Sequence, residues 1–100
     1  MAWLKSYKIV RENADTLFFD TPDNVKTYIK ETYEDTGKSI SFGTVFSEDN
    51  LTLTKSRVFN TKSDRDAWEE DSTILSNRTS FKSYCSSNNH TLTGLDDKDI

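Results

Sequence analysis

His90 and Cys85 are the one histidine and the one cysteine of the chain, and their side chains suit acid–base or nucleophilic chemistry near neutral pH. A lone imidazole moves protons effectively only when a second group orients it, so we interpret His90 first as a hydrogen-bonding residue at the start of a strand. Cys85 ends an apolar helical stripe, which is typical of a small buried hydrophobic residue. The chain can form neither an internal disulfide nor a zinc site built from several Cys and His ligands.

Acidic residues cluster twice, at 69–71 and at 96–99. Catalytic carboxylates need a cleft that raises one pKa, and neither run predicts such a cleft. We interpret the first run as a solvated helix face and the second as a charged chain end. Three widely spaced glycines also exclude a phosphate-binding loop. The sequence predicts no cofactor and leaves open whether the chain is an enzyme.

The composition is that of a small acidic protein. The chain has 100 residues, a formal net charge of −4, 33% hydrophobic residues and 12% aromatic residues. Aromatic rings must supply much of the core, because aliphatic residues are few. The acidic charge argues against a nucleic-acid partner, which is bound by neutralising phosphates. Phe42 and Phe46 could stack bases, but they are more simply explained as core or interface residues.

The same composition argues against a membrane protein. No stretch approaches the ~20 apolar residues of a membrane span, and the N-terminal residues lack the apolar core of a signal peptide. These features predict a cytoplasmic protein without membrane contact. We expect one domain over residues 1–95 and a charged, flexible tail over 96–100.

The first part of the chain predicts a strand and a helix. Residues 3–10 read as a strand, and a second apolar run at 16–19 leaves open whether this strand is split. Thr21 is the predicted N-cap of a helix that begins at Pro22 and ends at about residue 36. Its apolar residues recur at helical spacing on one face: Val25, Tyr28, Ile29 and Tyr33.

A hairpin follows this helix. Alternating side chains predict strands at 39–46 and 51–59, joined by a polar turn. The apolar phase of the second strand is interrupted, which indicates a bulge near Lys55 and Ser56.

A second helical region precedes the last strand. Ser63 is its predicted N-cap, and a break near Ser72 leaves open whether it forms one kinked helix or two short ones. Residues 90–94 are predicted to form a short final strand. The order β-α-β-β-α-β is that of a ferredoxin-like α+β fold, with a four-stranded antiparallel sheet and two helices on one face.

The opposite face of such a sheet must be solvated or covered by another chain. We expect a homodimer in which two sheets meet. The candidates for this interface are apolar residues of the hairpin: Ile40, Phe42, Phe46, Leu51 and Leu53.

A strand that runs into a capped helix with an early aromatic residue is present in the strand 51–59, the polar stretch 60–64 and then Arg65-Asp66-Ala67-Trp68. With the element order, this segment resembles the dimeric α+β barrel group, which includes antibiotic-biosynthesis-monooxygenase-like and stress-responsive barrel proteins. The chain also resembles small uncharacterised proteins of tailed phages. The barrel resemblance implies two sheets packed across a two-fold axis, with a small ligand held inside in some members.

Three functional hypotheses follow. The first is a non-enzymatic interaction or assembly domain built as a homodimer. The second is a metal-free small-ligand-binding protein or monooxygenase-like enzyme of the barrel type, with an apolar pocket near Trp68 and His90. Haem-degrading barrel proteins use an Asn, Trp and His set, which is not carried over because His90 follows the helix instead of lying on it. The third is a regulator that binds a host protein through its acidic surface.

Overall fold

Four antiparallel strands form one sheet in the order β2-β3-β1-β4. The computed structural model describes all residues from Met1 to Ile100. This arrangement, with helices packed on one face of the sheet, confirms the predicted ferredoxin-like α+β fold. No helix is both long and apolar enough to cross a membrane. In chain order the elements are β1 Trp3–Val10, α1 Asp23–Ile29 with a π-helical continuation Lys30–Glu34, β2 Ser39–Phe46, β3 Thr52–Phe59, α2 Lys62–Glu70, α3 Ser72–Ser87 and β4 Thr91–Asp99.

Cross-strand neighbours define the two faces of the sheet, because directly paired residues point to the same side. Ile9 of β1 pairs with Leu53 of β3, and both are buried in one cluster with Cys85 of α3. This cluster confirms the interpretation of Cys85 as a buried hydrophobic residue, and its side of the sheet is the helix-covered face. The other side, the open face, carries the alternate residues of β1 and β3: Lys8, Val10, Thr52, Thr54 and Val58.

Helix α1 begins directly after Pro22 and has no side-chain cap, so the predicted capping role of Thr21 is wrong. Pro22 itself occupies the N-cap position, and its side chain has no oxygen that could accept a backbone N–H, so the helix begins without a side-chain cap. Val25 and Tyr33 are buried, as the predicted helical stripe requires. The helical region ends before Gly37, whose φ of +78° lies in the left-handed region that favours glycine.

The second helical region is two helices that meet at Asp71. The side chain of Thr61, instead of the predicted Ser63, caps α2 by accepting a backbone N–H of the first turn at 3.1 Å. Asp71 caps α3, because its Oδ1 accepts the backbone N–H of Thr73 at 2.9 Å. The break therefore lies one residue before Ser72, where Asp71 adopts an extended backbone conformation.

Asp71 also connects the two helical regions. Its Oδ2 accepts hydrogen bonds from the hydroxyls of Tyr28 at 2.5 Å and Tyr33 at 2.7 Å. Burial opposes ionisation of this carboxyl, but the two tyrosine hydroxyls and the capped N–H groups outweigh it and hold the pKa of Asp71 below its ordinary value. One carboxylate thus fixes the α2–α3 junction against the helix that contains Tyr28.

The irregularities of the sheet differ from the prediction. Strand β1 is a single strand that ends at Val10, and β3 pairs with it without interruption, so the predicted bulge near residues 55–56 is wrong. The register shifts instead between Ser39 and Ser41 of β2 and between Lys5 and Tyr7 of β1. The extra residues lie in the edge strands β2 and β4, where a bulge disturbs only one ladder.

Strand β4 extends to Asp99, so the flexible tail predicted for 96–100 is wrong. Asp99 pairs with Trp3 at the start of β1. The carboxylate of Asp97 accepts the Trp3 indole N–H at 2.5 Å and an N–H of Arg65 at 3.0 Å. These contacts hold the charged chain end in the sheet. Because the partners lie far from Asp97 in the sequence, local sequence patterns do not indicate this strand.

The five predicted interface residues do not all lie on the open face. Leu53 is a core residue that is 2% exposed, so it is not available to a partner. Phe42 and Phe46 pair with residues of the helix-covered face and lie at its edge, where they are 62% and 55% exposed. Ile40 lies at the β2 bulge, and Leu51 precedes β3. The expectation that placed Phe42, Phe46 and Leu53 on the open face is wrong, because their cross-strand partners lie on the helix-covered face; for Ile40 and Leu51 it stays a prediction.

Candidate functional site

A cavity of about 430 Å³ lies between the helix-covered face of the sheet and the helices. All four strands contribute to its floor, and Ile29 of α1, Trp68 of α2 and Phe81 of α3 contribute to its walls. Protein pockets that bind small molecules commonly enclose about 300–1,000 Å³. The cavity is therefore large enough for a small organic ligand.

Aromatic rings form much of the apolar wall of the cavity. Trp68 packs edge-on against Phe59 of β3, with ring centroids 5.5 Å apart, and against Tyr33 with centroids 4.9 Å apart. A second pair joins Tyr7 of β1 to Phe81 of α3, with centroids 5.6 Å apart. Rings that are held by other rings keep a fixed orientation, so the wall is preformed for a flat apolar molecule.

Arg57 of β3 lies between the rings of Trp68 and Phe42. Its guanidinium carbon is 4.8 Å from the centroid of Trp68 and 5.0 Å from that of Phe42. The same guanidinium donates hydrogen bonds to Glu34 at 3.1 Å and to Ser39 at 2.7 Å. Stacking and hydrogen bonding together fix a planar donor group at the cavity.

Lys5 and Arg78 share a single carboxylate behind the cavity. Arg78 donates to Glu69 at 2.7 Å, and Lys5 pairs with the other oxygen of Glu69. Burial opposes ionisation of Glu69, but its hydrogen bonds to Arg78 and Lys5 outweigh burial and lower its pKa. Glu69 itself does not line the cavity, whereas both cations do.

Lys55 and Lys82 complete a set of five cationic side chains around the cavity, and no aspartate or glutamate lines it. Neither lysine forms an ion pair within the chain. Lys55 is half-buried, and burial lowers its pKa; Asp20 opposes this shift, while Lys26 and Arg57 add to it. The cavity therefore presents positive charge that the protein leaves partly uncompensated.

Tyr7 is the direct cross-strand neighbour of Lys55 on the helix-covered face. Burial raises the pKa of Tyr7 to about 12, so the hydroxyl keeps its proton at neutral pH. As a group that lines the cavity, the Tyr7 hydroxyl can donate a hydrogen bond to a molecule bound there.

Trp68 lines the cavity, but His90 does not. His90 is 6% exposed, its Nε2 lies 2.7 Å from the hydroxyl oxygen of Thr16, and its ring packs against Phe18 and Tyr84. This confirms the interpretation of His90 as a hydrogen-bonding residue. The prediction that Trp68 and His90 share one pocket is wrong, because His90 packs beside the loop that follows β1.

We expect His90 to make the fold less stable in mild acid. Burial and the charge of Arg11 lower the pKa of His90 from its ordinary value of 6.5. Below that value the unfolded chain binds a proton that the folded chain resists. The free energy of unfolding therefore falls as the pH drops from 6.5 through the lowered folded pKa, by at most about 1.4 kcal/mol per pH unit.

Urea unfolding at about pH 7.5 and about pH 5.5 measures this dependence. The variant His90→Gln keeps a polar group near Thr16 but does not titrate, so its stability should change less over the same interval. Equal changes in the two proteins would contradict the prediction.

Sequence reasoning missed the cations of the cavity, although the alternation of the strands contained the signal. Lys5 has the phase of Tyr7 and Ile9 in β1, and Lys55 has the phase of Leu53 in β3. Charged residues in the phase of core residues indicate either buried ion pairs or a cavity on that face. This face contains a cavity and partly buried ion pairs.

No protein-family model matches the chain, and no curated protein matches it in sequence. Among solved structures, the chain is similar to Rv0793 from Mycobacterium tuberculosis, with a TM-score of 0.53, 9% sequence identity, and coverage of 100% of this chain and 98% of that chain. The shared feature is the fold. The similarity supports the ferredoxin-like α+β architecture, and these comparisons lend no support to a resemblance to tailed-phage proteins.

Proposed function

We propose that the chain binds a small aromatic or otherwise apolar molecule with a negative charge in the cavity. The supporting observation is that five cationic side chains and no carboxylate line this cavity, in a chain whose formal net charge is −4. An acidic composition does not by itself bring cations together. Glu34 and Glu69 pair with three of the five cations, whereas Lys55 and Lys82 have no ion-pair partner, and an anionic ligand would supply one.

The energetics of the cavity favour such a ligand. Like charges held close together in a partly buried site repel each other and are incompletely solvated. A carboxylate or sulfonate bound beside Lys55 would offset this repulsion. The rings of Trp68 and Phe81, which line the cavity, would contribute about 25 cal/mol for each Å² of apolar surface that they cover. A neutral or cationic ligand would gain the contribution from apolar contact but would not offset the repulsion between the cations.

The resemblance to the antibiotic-biosynthesis-monooxygenase-like barrel group also supports the proposal, since some barrel proteins hold a small ligand. The same resemblance favours a metal-free enzyme as a second form of this function. The substrate of such an enzyme would occupy the same cavity, so binding is the first property to test.

Removing the Lys55 charge is expected to weaken the binding of aromatic anions. A hydrogen bond to a charged group contributes about 1.5–3 kcal/mol, so Lys55→Met should raise the Kd of 1-anilinonaphthalene-8-sulfonate by about tenfold to about hundredfold. The fluorescence of the dye reports its binding. Lys38→Met is the control, because Lys38 lies outside the strands, forms no ion pair and does not line the cavity.

The control variant should bind the dye as the unchanged protein does. An equal loss of affinity in Lys38→Met and Lys55→Met, or no loss in either variant, would contradict the location of the site. Thermal unfolding followed by circular dichroism shows that each variant is folded before the titration.

We also propose that two copies of the chain pair through their open faces. No helix covers this face, and it presents a row of half-buried β-branched side chains: Val10, Thr52, Thr54 and Val58. The resemblance to the dimeric barrel group supports a second copy as the cover. Such pairing is the basis of an interaction or assembly role.

Val58→Asp is expected to convert this dimer to a monomer, because a carboxylate would be buried between two sheets without a partner. Native mass spectrometry at several concentrations measures the change. Phe42→Asp, on the helix-covered face, should leave the dimer intact. A monomer for the unchanged chain at every concentration would contradict the pairing.

A further inference from the structure

We propose that Lys55 is a nucleophilic amine that forms an imine with the carbonyl group of an aromatic 2-oxo acid bound in the cavity. This inference rests on the proposed function, since the carboxylate of the oxo acid is the anion that the cationic lining would hold. It adds the carbonyl group as the reactive part of the ligand and assigns one residue to it.

The position of Lys55 carries the inference. The residue lies in the middle of β3, paired with Tyr7 of β1 on one side and with Thr44 of β2 on the other, and all three line the cavity. A lysine in a central strand is held on a rigid element, where its approach to a bound molecule is restricted. Lys55 is half-buried and has no carboxylate partner, so its amino group is available to the cavity.

Burial favours the neutral amine of Lys55, which is the form that reacts, over the charged form that attracts an anion, and the nearby charges act in both directions. Arg57 lies two residues along the same strand, and Lys26 of α1 adds a further positive charge. Asp20 opposes them, but its carboxylate is bound to Lys26 at 2.9 Å. Together with burial, these cations lower the pKa of Lys55. Desolvation and neighbouring cations are the two means by which proteins make a lysine nucleophilic near neutral pH.

Other cations around the cavity are suited to a different task. Arg57 and Arg78 are planar donors, and Lys5 is fixed beside Arg78 through Glu69. These groups can hold the carboxylate of a 2-oxo acid, while the ring of the ligand packs against aromatic residues such as Trp68. A carbonyl carbon next to the carboxylate would then lie near the amine of Lys55.

The step balances without any further reagent. The lone pair of the neutral amine attacks the carbonyl carbon, and the C=O π electrons move to oxygen, which takes up a proton. The attacking nitrogen, now positively charged, returns one of its two hydrogens as a proton to the group that protonated the oxygen. The carbinolamine then loses water, formed from its hydroxyl group and its remaining N–H hydrogen, and a C=N bond replaces the C=O bond. Tyr7 keeps its proton at neutral pH and lies beside Lys55, so it can donate the proton that the carbonyl oxygen requires.

Reductive trapping tests the proposal on the full chain. The protein is incubated with phenylpyruvate and cyanoborohydride, and the product is mapped by mass spectrometry of peptides. One adduct per chain on the peptide that contains Lys55 is expected. Lys55→Arg should lose this adduct, and Lys38→Arg should keep it. Tyr7→Phe should slow adduct formation by at least about tenfold.

Adducts spread over several lysines, or a full adduct in Lys55→Arg, would overturn the proposal. Calorimetric titration with phenyllactate, which has the same carboxylate and ring but no carbonyl group, separates the two levels of the argument. If phenyllactate binds and phenylpyruvate leaves no adduct on Lys55, the assignment of Lys55 fails while the proposed ligand site stands. If neither molecule binds, both proposals fail for aromatic acids.

Discussion

Replacing Phe59 by alanine is expected to lower the free energy of unfolding by about 3–5 kcal/mol, the range found when a buried phenylalanine is truncated. Phe59 is completely buried and packs edge-on against Trp68. Trp68 is itself held by Tyr33, so the surroundings cannot close the void. The loss is a large part of the stability of about 5–15 kcal/mol that is typical of such domains.

Phe46→Ala makes the same chemical change at a position that is 55% exposed. It should lower the free energy of unfolding by about 1 kcal/mol or less, because little apolar surface leaves the interior. Urea unfolding of both variants gives the comparison. Similar losses at Phe59 and Phe46 would mean that the core does not lie where the sheet meets α2.

Asp71→Ala is expected to lower the free energy of unfolding by about 2–3 kcal/mol. Loss of the N-cap of α3 accounts for about 1 kcal/mol, and leaving the buried Tyr33 hydroxyl without its acceptor accounts for about 1–2 kcal/mol. The hydroxyl of Tyr28 loses the same acceptor. The change therefore weakens one helix start and the contact between two helical regions together.

Asp23→Ala is the matched control for Asp71→Ala. Asp23 also lies at the start of a helix, but it is exposed and α1 has no side-chain cap. Its replacement should change stability by only about 0.3–1 kcal/mol through the helix dipole. Chemical unfolding at neutral pH measures both variants. A loss at Asp71 no larger than that at Asp23 would contradict the role assigned to this carboxylate.

The order of the elements could be predicted from the sequence because it depends on local periodicity. The stripe containing Val25 and Tyr33 has helical spacing, and the hairpin strands alternate. The structure confirms both. The faces of the hairpin could not be predicted equally well, because the bulge between Ser39 and Ser41 reverses the phase of β2 relative to a regular strand.

The candidate site could be predicted only in part, since its residues come from distant segments. Trp68 was recognisable as an aromatic residue early in a helix. Trp68 stacks on Arg57 and does not meet His90. This arrangement depends on how α2 lies across the sheet, which local sequence patterns do not determine. The charged end 96–99 shows the same limit, because Arg65 and Trp3 make Asp97 part of a strand.

The cavity joins these observations into one account. The ion pairs of Lys5, Arg57 and Arg78 fix cations on a preformed aromatic wall, and Lys55 adds a charge that has no partner in the chain. A site of this kind distinguishes ligands mainly by charge, because its apolar wall accepts many flat molecules.

Calorimetric titration with indole-3-acetate and with indole-3-acetamide tests this account most directly, because the two molecules share a ring and differ in charge. We expect the acid to bind at least about tenfold more tightly than the amide, and added salt to reduce this difference. Equal affinities for the two molecules, or no binding of either, would contradict an anion site in the cavity.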